Sequence, residues 1–146
     1  MSAEPVKIVL VEDDVVDAEN VRRTLRRLRV SNPVHTYADG ARALVALRGN
    51  GAAPLARRYV ILLDLNMPRM NGFEFLAQLA GDARLRDSVV FVLTTSDAPV
   101  DRARAGAHGV AGYLVKSEVG EELSQVTPML DPSWHARARR PEPGAR

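Results

Sequence analysis

Cysteine is absent from the chain, which removes disulfide frameworks, thiolate metal sites and cysteine nucleophiles together. Long hydrophobic runs are absent too. The longest, Tyr59–Leu63 and Val89–Leu93 among them, are five residues each, far short of the ~18 that span a bilayer. Met1-Ser2-Ala3-Glu4-Pro5 has neither the charged nor the apolar region of a secretory signal, so a soluble cytoplasmic protein is expected. No glycine-rich fingerprint follows the first apolar run and no P-loop occurs, which argues against dinucleotide binding and P-loop chemistry. Residues 1–130 lack an excess of either charge, with 16 Lys/Arg against 16 Asp/Glu. The net charge of +2 comes wholly from residues 131–146, where Arg137, Arg139, Arg140 and Arg146 face Asp131 and Glu142. A neutral body speaks against a nucleic-acid surface, whose footprint is a basic patch on the folded domain. Lysine is scarce: of 20 cationic residues only Lys7 and Lys116 are not arginine. Lys116, a compact ammonium at a strand end, hints at a role for a point charge.

What remains is globular. The 146 residues are 46% hydrophobic and 26% charged, and the length predicts one domain burying about 68–70% of its unfolded surface. Residues 6–130 are read as that domain. From Asp131 onward, Pro132, Pro141, Pro143, Gly144 and scattered arginines have the composition of a disordered basic extension.

Within 6–130, apolar runs alternate with helical stretches. Val6–Val11 reads as a buried strand, and Val15–Leu28 as an amphipathic helix with Val21, Leu25 and Leu28 on one face. Val34–Tyr37 is a short second strand, followed by a helix near 41–48 that Gly49-Asn50-Gly51 ends and a loop over 52–57. Tyr59–Leu63 and Phe73–Ala80 give the third strand and helix, Val89–Leu93 and Val100–Ala107 the fourth pair. Gly112–Val115 is the fifth strand, and a last helix runs from Glu118 toward Leu130, its end distorted by Pro128. Five such pairs imply βαβ units around a parallel sheet, and nearly all-apolar strands imply that both its faces are covered.

The polar residues cluster at strand ends. The first strand runs into Glu12-Asp13-Asp14, the third into Asp64, the fourth into Thr94-Thr95-Ser96 and the fifth into Lys116. Open parallel sheets bind ligands outside the carboxyl ends of their strands, where strand order reverses. In a 2-1-3-4-5 sheet that point lies between strands one and three, so Glu12, Asp13 and Asp64 share one crevice, with Thr94 and Lys116 beside it. Crowded carboxylates call for a cation, and Mg²⁺ suits one or two carboxylates plus water and phosphate oxygens. Asp64 is then placed as a carboxylate nucleophile able to form an aspartyl phosphate, with Lys116 and Thr94 supplying a charge and a hydroxyl for the phosphoryl oxygens. Each residue alone has a plainer reading: Glu12-Asp13-Asp14 as a helix cap, Asp64 as a turn residue, Thr94-Thr95-Ser96 as a capping cluster. Their coincidence at successive strand ends disfavours those readings. His35 and His108 have no partner at ligand spacing, and His135 lies in the tail.

Residues 6 to about 126 resemble the receiver domains of bacterial two-component response regulators. The resemblance rests on Ile8-Val9-Leu10-Val11-Glu12-Asp13-Asp14, Leu62-Leu63-Asp64-Leu65-Asn66-Met67-Pro68-Arg69-Met70-Asn71-Gly72, Val92-Leu93-Thr94-Thr95-Ser96 and Gly112-Tyr113-Leu114-Val115-Lys116. It implies a flavodoxin-like (βα)5 α/β fold and phosphorylation of Asp64 by a histidine kinase or phosphotransfer protein. It also implies Mg²⁺ held by Glu12, Asp13, Asp64 and the backbone carbonyl of Asn66, with Thr94 and Tyr113 rearranging together on phosphorylation. Asp14 and Ser96 are placed near this site as auxiliary residues. The acidic triplet, the Leu-Thr-Thr-Ser run, the 49–57 loop and Trp134 look most like stand-alone regulators of phytochrome-type kinases. One residue departs from the family pattern. Ser117 follows the lysine where the family has a cis proline, and a non-proline cis bond costs ~3–4 kcal/mol. Either Lys116–Ser117 is cis or the loop takes another path.

The expected function is a single-domain phosphorylation switch without an effector domain, whose target is a protein. It is not expected to be an enzyme beyond its own phosphorylation and dephosphorylation. A phosphorelay intermediate, a small aspartyl-phosphate phosphatase or phosphotransferase, and a non-switching scaffold are the alternatives. Trp134, beyond a proline-interrupted helix, points to a homodimer through the last helix and Met129–Trp134, or to a tail folded back on its own domain.

Overall fold

The computed structural model describes residues 5–49, 58–67, 70–95, 103–104 and 106–130. Five strands, β1 (Lys7–Val11), β2 (Val34–Tyr37), β3 (Tyr59–Asp64), β4 (Val89–Thr94) and β5 (Gly112–Val115), form one parallel sheet in the order β2-β1-β3-β4-β5. The reversal of strand order therefore falls between β1 and β3, as the sequence predicts. Side chains alternate across the sheet. Val9, Val11, Ile61, Leu63 and Val92 face one core with α2 (Gly40–Arg48) and α3 (Gly72–Ala80). Ile8, Leu10, Leu62, Phe91 and Leu93 face the other with α1 (Val15–Arg27). Burial on both faces explains why the interiors of β1, β3 and β4 are wholly apolar, whereas half-buried β2 carries His35 and Thr36.

The starts of α1, α2 and α3 are set by side-chain caps. Asp14 begins α1 by accepting from the Asp17 amide, and Asp39 begins α2 by accepting from Arg42. Asn71 and Glu74 close a reciprocal capping box at α3, which starts that helix at Gly72, one residue before the expected Phe73. The expected fourth helix, Val100–Ala107, falls mostly outside the described residues. Ala103, Arg104 and Gly106 are helical, and the Arg104 guanidinium sits 3.9 Å above the Phe73 ring of α3. The 50–57 loop, Ser96 and the 131–146 extension with Trp134 also lie outside the described residues.

The last helix differs from expectation. In place of one helix from Glu118, a 3-10 turn at Lys116–Glu118 leads into α4 (Val119–Glu122), then further 3-10 turns at Leu123–Gln125 and Thr127–Leu130. Local chemistry favours the break. Ser124 and Thr127 hydroxyls bond carbonyls three residues back, Gly120 lowers helix propensity, and Pro128 has no amide to donate. The apolar stripe survives: Val119, Leu123, Val126 and Leu130 are all buried in their own domain's core. That stripe is therefore internal and is not the face a second copy would meet. No peptide bond among the described residues is cis, so the chain after Lys116 takes another path, the 3-10 turn. Among the described residues no helix is long and apolar enough to cross a membrane.

Candidate functional site

The carboxyl ends of β1, β3, β4 and β5 bring together the residues expected there. Glu12 and Asp64 are each 2% exposed and Thr94 is 4% exposed, while Asp13 faces solvent. One oxygen from each of Glu12, Asp13 and Asp64 lies within 4.8 Å of the others. Lys116 follows β5 directly, and its ammonium lies 2.7 Å from Glu12 Oε1, 2.9 Å from Asp17 Oδ2 and 3.5 Å from Asp64 Oδ1.

Backbone groups orient the acids. The Asp14 amide donates to Glu12 Oε2 at 3.2 Å and the Asn66 amide to Asp64 Oδ1 at 3.1 Å. Asp14 thus holds Glu12 through its backbone while its side chain caps α1. Asn66 sits two residues past Asp64 in the turn after β3, which Gly72 closes by donating its amide to Leu65 O at 3.0 Å. Thr94 ends β4 in register with Val115. Tyr113 is half-buried on β5, and a Cβ placed on Gly106 would come within 3.5 Å of its hydroxyl. The ring of this aromatic therefore reaches from the sheet to the helical turn that follows β4.

Charge crowding marks the site. Burial, opposed by Lys116 and reinforced by Asp64, pushes the Glu12 carboxyl up to about 7. Burial tends to lower the Lys116 ammonium, but Asp17, Glu12 and Asp64 outweigh it and hold the group above its ordinary value. Glu12 Oε1 is buried without an aligned hydrogen-bond donor, its near neighbour being the lysine charge. Three carboxylate oxygens converging within 4.8 Å fit a hard divalent cation such as Mg²⁺.

Asp17 is the contact that sequence reasoning misses. It lies in the first turn of α1, where an acid is expected for the helix dipole alone, yet it takes the ammonium of a residue 99 positions away. The scarcity of lysine singles out Lys116, but nothing local to Asp17 announces the pairing. His108 lies obliquely against Phe73, with ring centroids 6.3 Å apart, and is not among the residues of the acidic cluster.

Comparison with known proteins converges on one family. The response regulator receiver domain model matches residues 8–127. The probable methanogenesis regulatory protein FilR2 of Methanothrix harundinacea is 34% identical, over 96% of this chain and 90% of its own length. Response regulator Rcp1 of Synechocystis is 31% identical over 89% of each chain, and the crystal structure of its Mn²⁺-bound form superposes with a TM-score of 0.73, at 27% identity over 88% and 96% of the two chains. The bacteriophytochrome response regulator RtBRR gives 0.73 at 36% identity, covering 97% of this chain and 86% of that one. Acids at the switch point, a lysine after β5 and relatives matched over nearly their whole length agree: the chain belongs to the response regulator receiver domain family of two-component signalling, and is similar to its phytochrome-associated members.

Proposed function

We propose that this chain is a response regulator that accepts a phosphoryl group on Asp64 from a histidine kinase of the phytochrome type. Glu12, Asp13, Asp64 and the Asn66 carbonyl would hold Mg²⁺. The observation that carries the reading is the convergence of three carboxylates within 4.8 Å with an ammonium 3.5 Å from the one that ends β3. An Asp64 oxygen attacks the phosphorus of a phosphohistidine. The P–N bond breaks, its electron pair returns to the imidazole, and an acyl phosphate forms on Asp64. The bound ion would neutralise charge on the carboxylates and on the phosphoryl oxygens. Lys116 stands ready to pair with those oxygens, and Thr94 to donate its hydroxyl to them.

The new group brings a charge of about −1.5 to −2 and three acceptor oxygens. Thr94, drawn toward it, vacates space at the end of β4 that the Tyr113 ring can enter, and the equilibrium shifts toward a second arrangement of the surface after β4. Thr94→Ala is therefore expected to accept phosphate at near wild-type level yet lose the phosphorylation-dependent change in partner binding. Binding that responds to phosphorylation as in wild type would contradict this route.

The partners in this reading are proteins in the cytoplasm, not nucleic acid. The balanced charge of residues 1–130 supports that choice. A phosphorelay intermediate would use the same site and differ only in passing the phosphoryl group onward to a second histidine. A second copy of the chain is a further proposed partner, meeting the solvent-facing side of the 116–130 segment and the residues beyond it. Sedimentation of the full chain should give a dimer and a chain ending at Pro128 a monomer; two equal monomer masses would reject the assembly.

A further inference from the structure

We propose that Asp17 is a positioning residue for the phosphorylation site: it holds the Lys116 ammonium at the edge of the carboxylate cluster so that a divalent ion can occupy the centre. The inference rests on the metal-site reading above. Lys116 Nζ touches three carboxylates, Glu12, Asp17 and Asp64. Glu12 and Asp64 belong to the three-acid cluster and Asp17 does not. An ammonium and a divalent cation repel each other and compete for the same oxygens, most strongly where water is excluded. With Glu12 and Asp64 almost fully buried and Glu12 Oε1 already 2.7 Å from the ammonium, Lys116 would settle wholly on them if they were its sole counter-charges. Asp17 gives it an anion outside the cluster.

The geometry is built for this. Asp17's own amide is fixed by the Asp14 cap at 2.9 Å, so its position follows from the start of α1. Its carboxylate is 38% exposed, whereas the lysine side chain is 14% exposed. Asp17 and Lys116 share a crevice of about 10 Å³ with Asn20, Val21 and Val119, too small for another ligand and walled partly by valines. The ammonium thus has few places to go besides Asp17 and the cluster itself.

A double-mutant cycle on the full chain tests the role, with Mg²⁺ binding followed by NMR shift titration. Asp17→Asn should weaken Mg²⁺ about three- to ten-fold, because the ammonium then stays on Glu12 and Asp64. Asp17→Glu should restore most of the affinity, and Lys116→Met should tighten it. In the Lys116→Met background, Asp17→Asn should change affinity by less than about two-fold, since the effect acts through the lysine. Equal weakening in both backgrounds would mean that Asp17 attracts the ion directly and would overturn the proposal, as would unchanged affinity in Asp17→Asn alone. A wild-type chain with no saturable Mg²⁺ binding would remove the metal-site reading and the role of Asp17 together. Binding that is lost in Asp13→Asn but indifferent to Asp17 would remove only the latter.

Discussion

Asp64→Asn is expected to abolish phosphorylation and, in the same molecule, to stabilise the metal-free fold. Asparagine keeps the shape and the acceptor for the Asn66 amide but has no carboxylate to attack phosphorus. Its stabilising effect follows from the charges around it. One ammonium serves Glu12, Asp17 and Asp64, and Asp64 helps to push the Glu12 carboxyl up to about 7 from its ordinary 4.5. A carboxyl raised in the folded state contributes stability below its unfolded pKa, and that contribution is lost as pH rises through the folded one. Metal-free wild type should accordingly lose stability between about pH 4.5 and 7 through this group. Without the Asp64 charge, Glu12 ionises more readily beside Lys116, so the loss across that window should shrink. Sites that sacrifice stability for activity commonly regain about 1 kcal/mol when relieved in this way. Thermal melts in chelator at pH 5 and pH 8 read the effect; a variant less stable than wild type at pH 8 would contradict the charge argument.

Gly72→Ala should be the most damaging small substitution near the site. A Cβ at this position would stand 2.6 Å from Leu65 Cα, 2.8 Å from Leu65 Cδ2 and 3.0 Å from Asp64 O. Two of these three atoms, including the nearest, are backbone, so relief requires moving the turn that follows β3. Gly72 also donates its amide to Leu65 O, and that tie would be stretched by the same displacement. Overpacking of a well-packed site costs about 1–3 kcal/mol, and here the upper end is expected. Because the displaced residues are Asp64 and its neighbour, phosphorylation should slow in the fraction that remains folded. Urea unfolding measures the first effect and labelling rate the second. A variant within about 0.5 kcal/mol of wild type would show that the turn can yield.

Most of the fold was legible because its strands are short, apolar and bounded by punctuation. Val34–Tyr37 follows Pro33, and Gly112–Val115 opens on glycine; both strands lie where the pattern predicts. The residues that end the strands were legible for the same reason: a polar group after a buried run stands out, and the acids after β1 and at the end of β3 converge at the switch point with Lys116 beside them. The Asn71–Glu74 capping box was also readable from its spacing and would have moved the start of α3 to Gly72. The break-up of the last helix was not legible. The stripe Val119, Leu123, Val126 and Leu130 suits one continuous helix, and the hydroxyl bonds of Ser124 and Thr127 that tighten its turns depend on conformation already chosen. The pairing of Asp17 with Lys116 was hidden more deeply. It arises from two elements distant in sequence, α1 and the end of β5, meeting over the second face of the sheet.

The central claim is that the acid ending β3 is the phosphoryl acceptor. Wild-type chain phosphorylated in Mg²⁺ can be reduced with borohydride, which converts an aspartyl phosphate to homoserine, and the modified residue located by peptide mass spectrometry. Homoserine should appear at position 64 and at no other acid. Homoserine at Asp13 or Asp14, or label that survives on a histidine with Asp64 intact, would contradict the account.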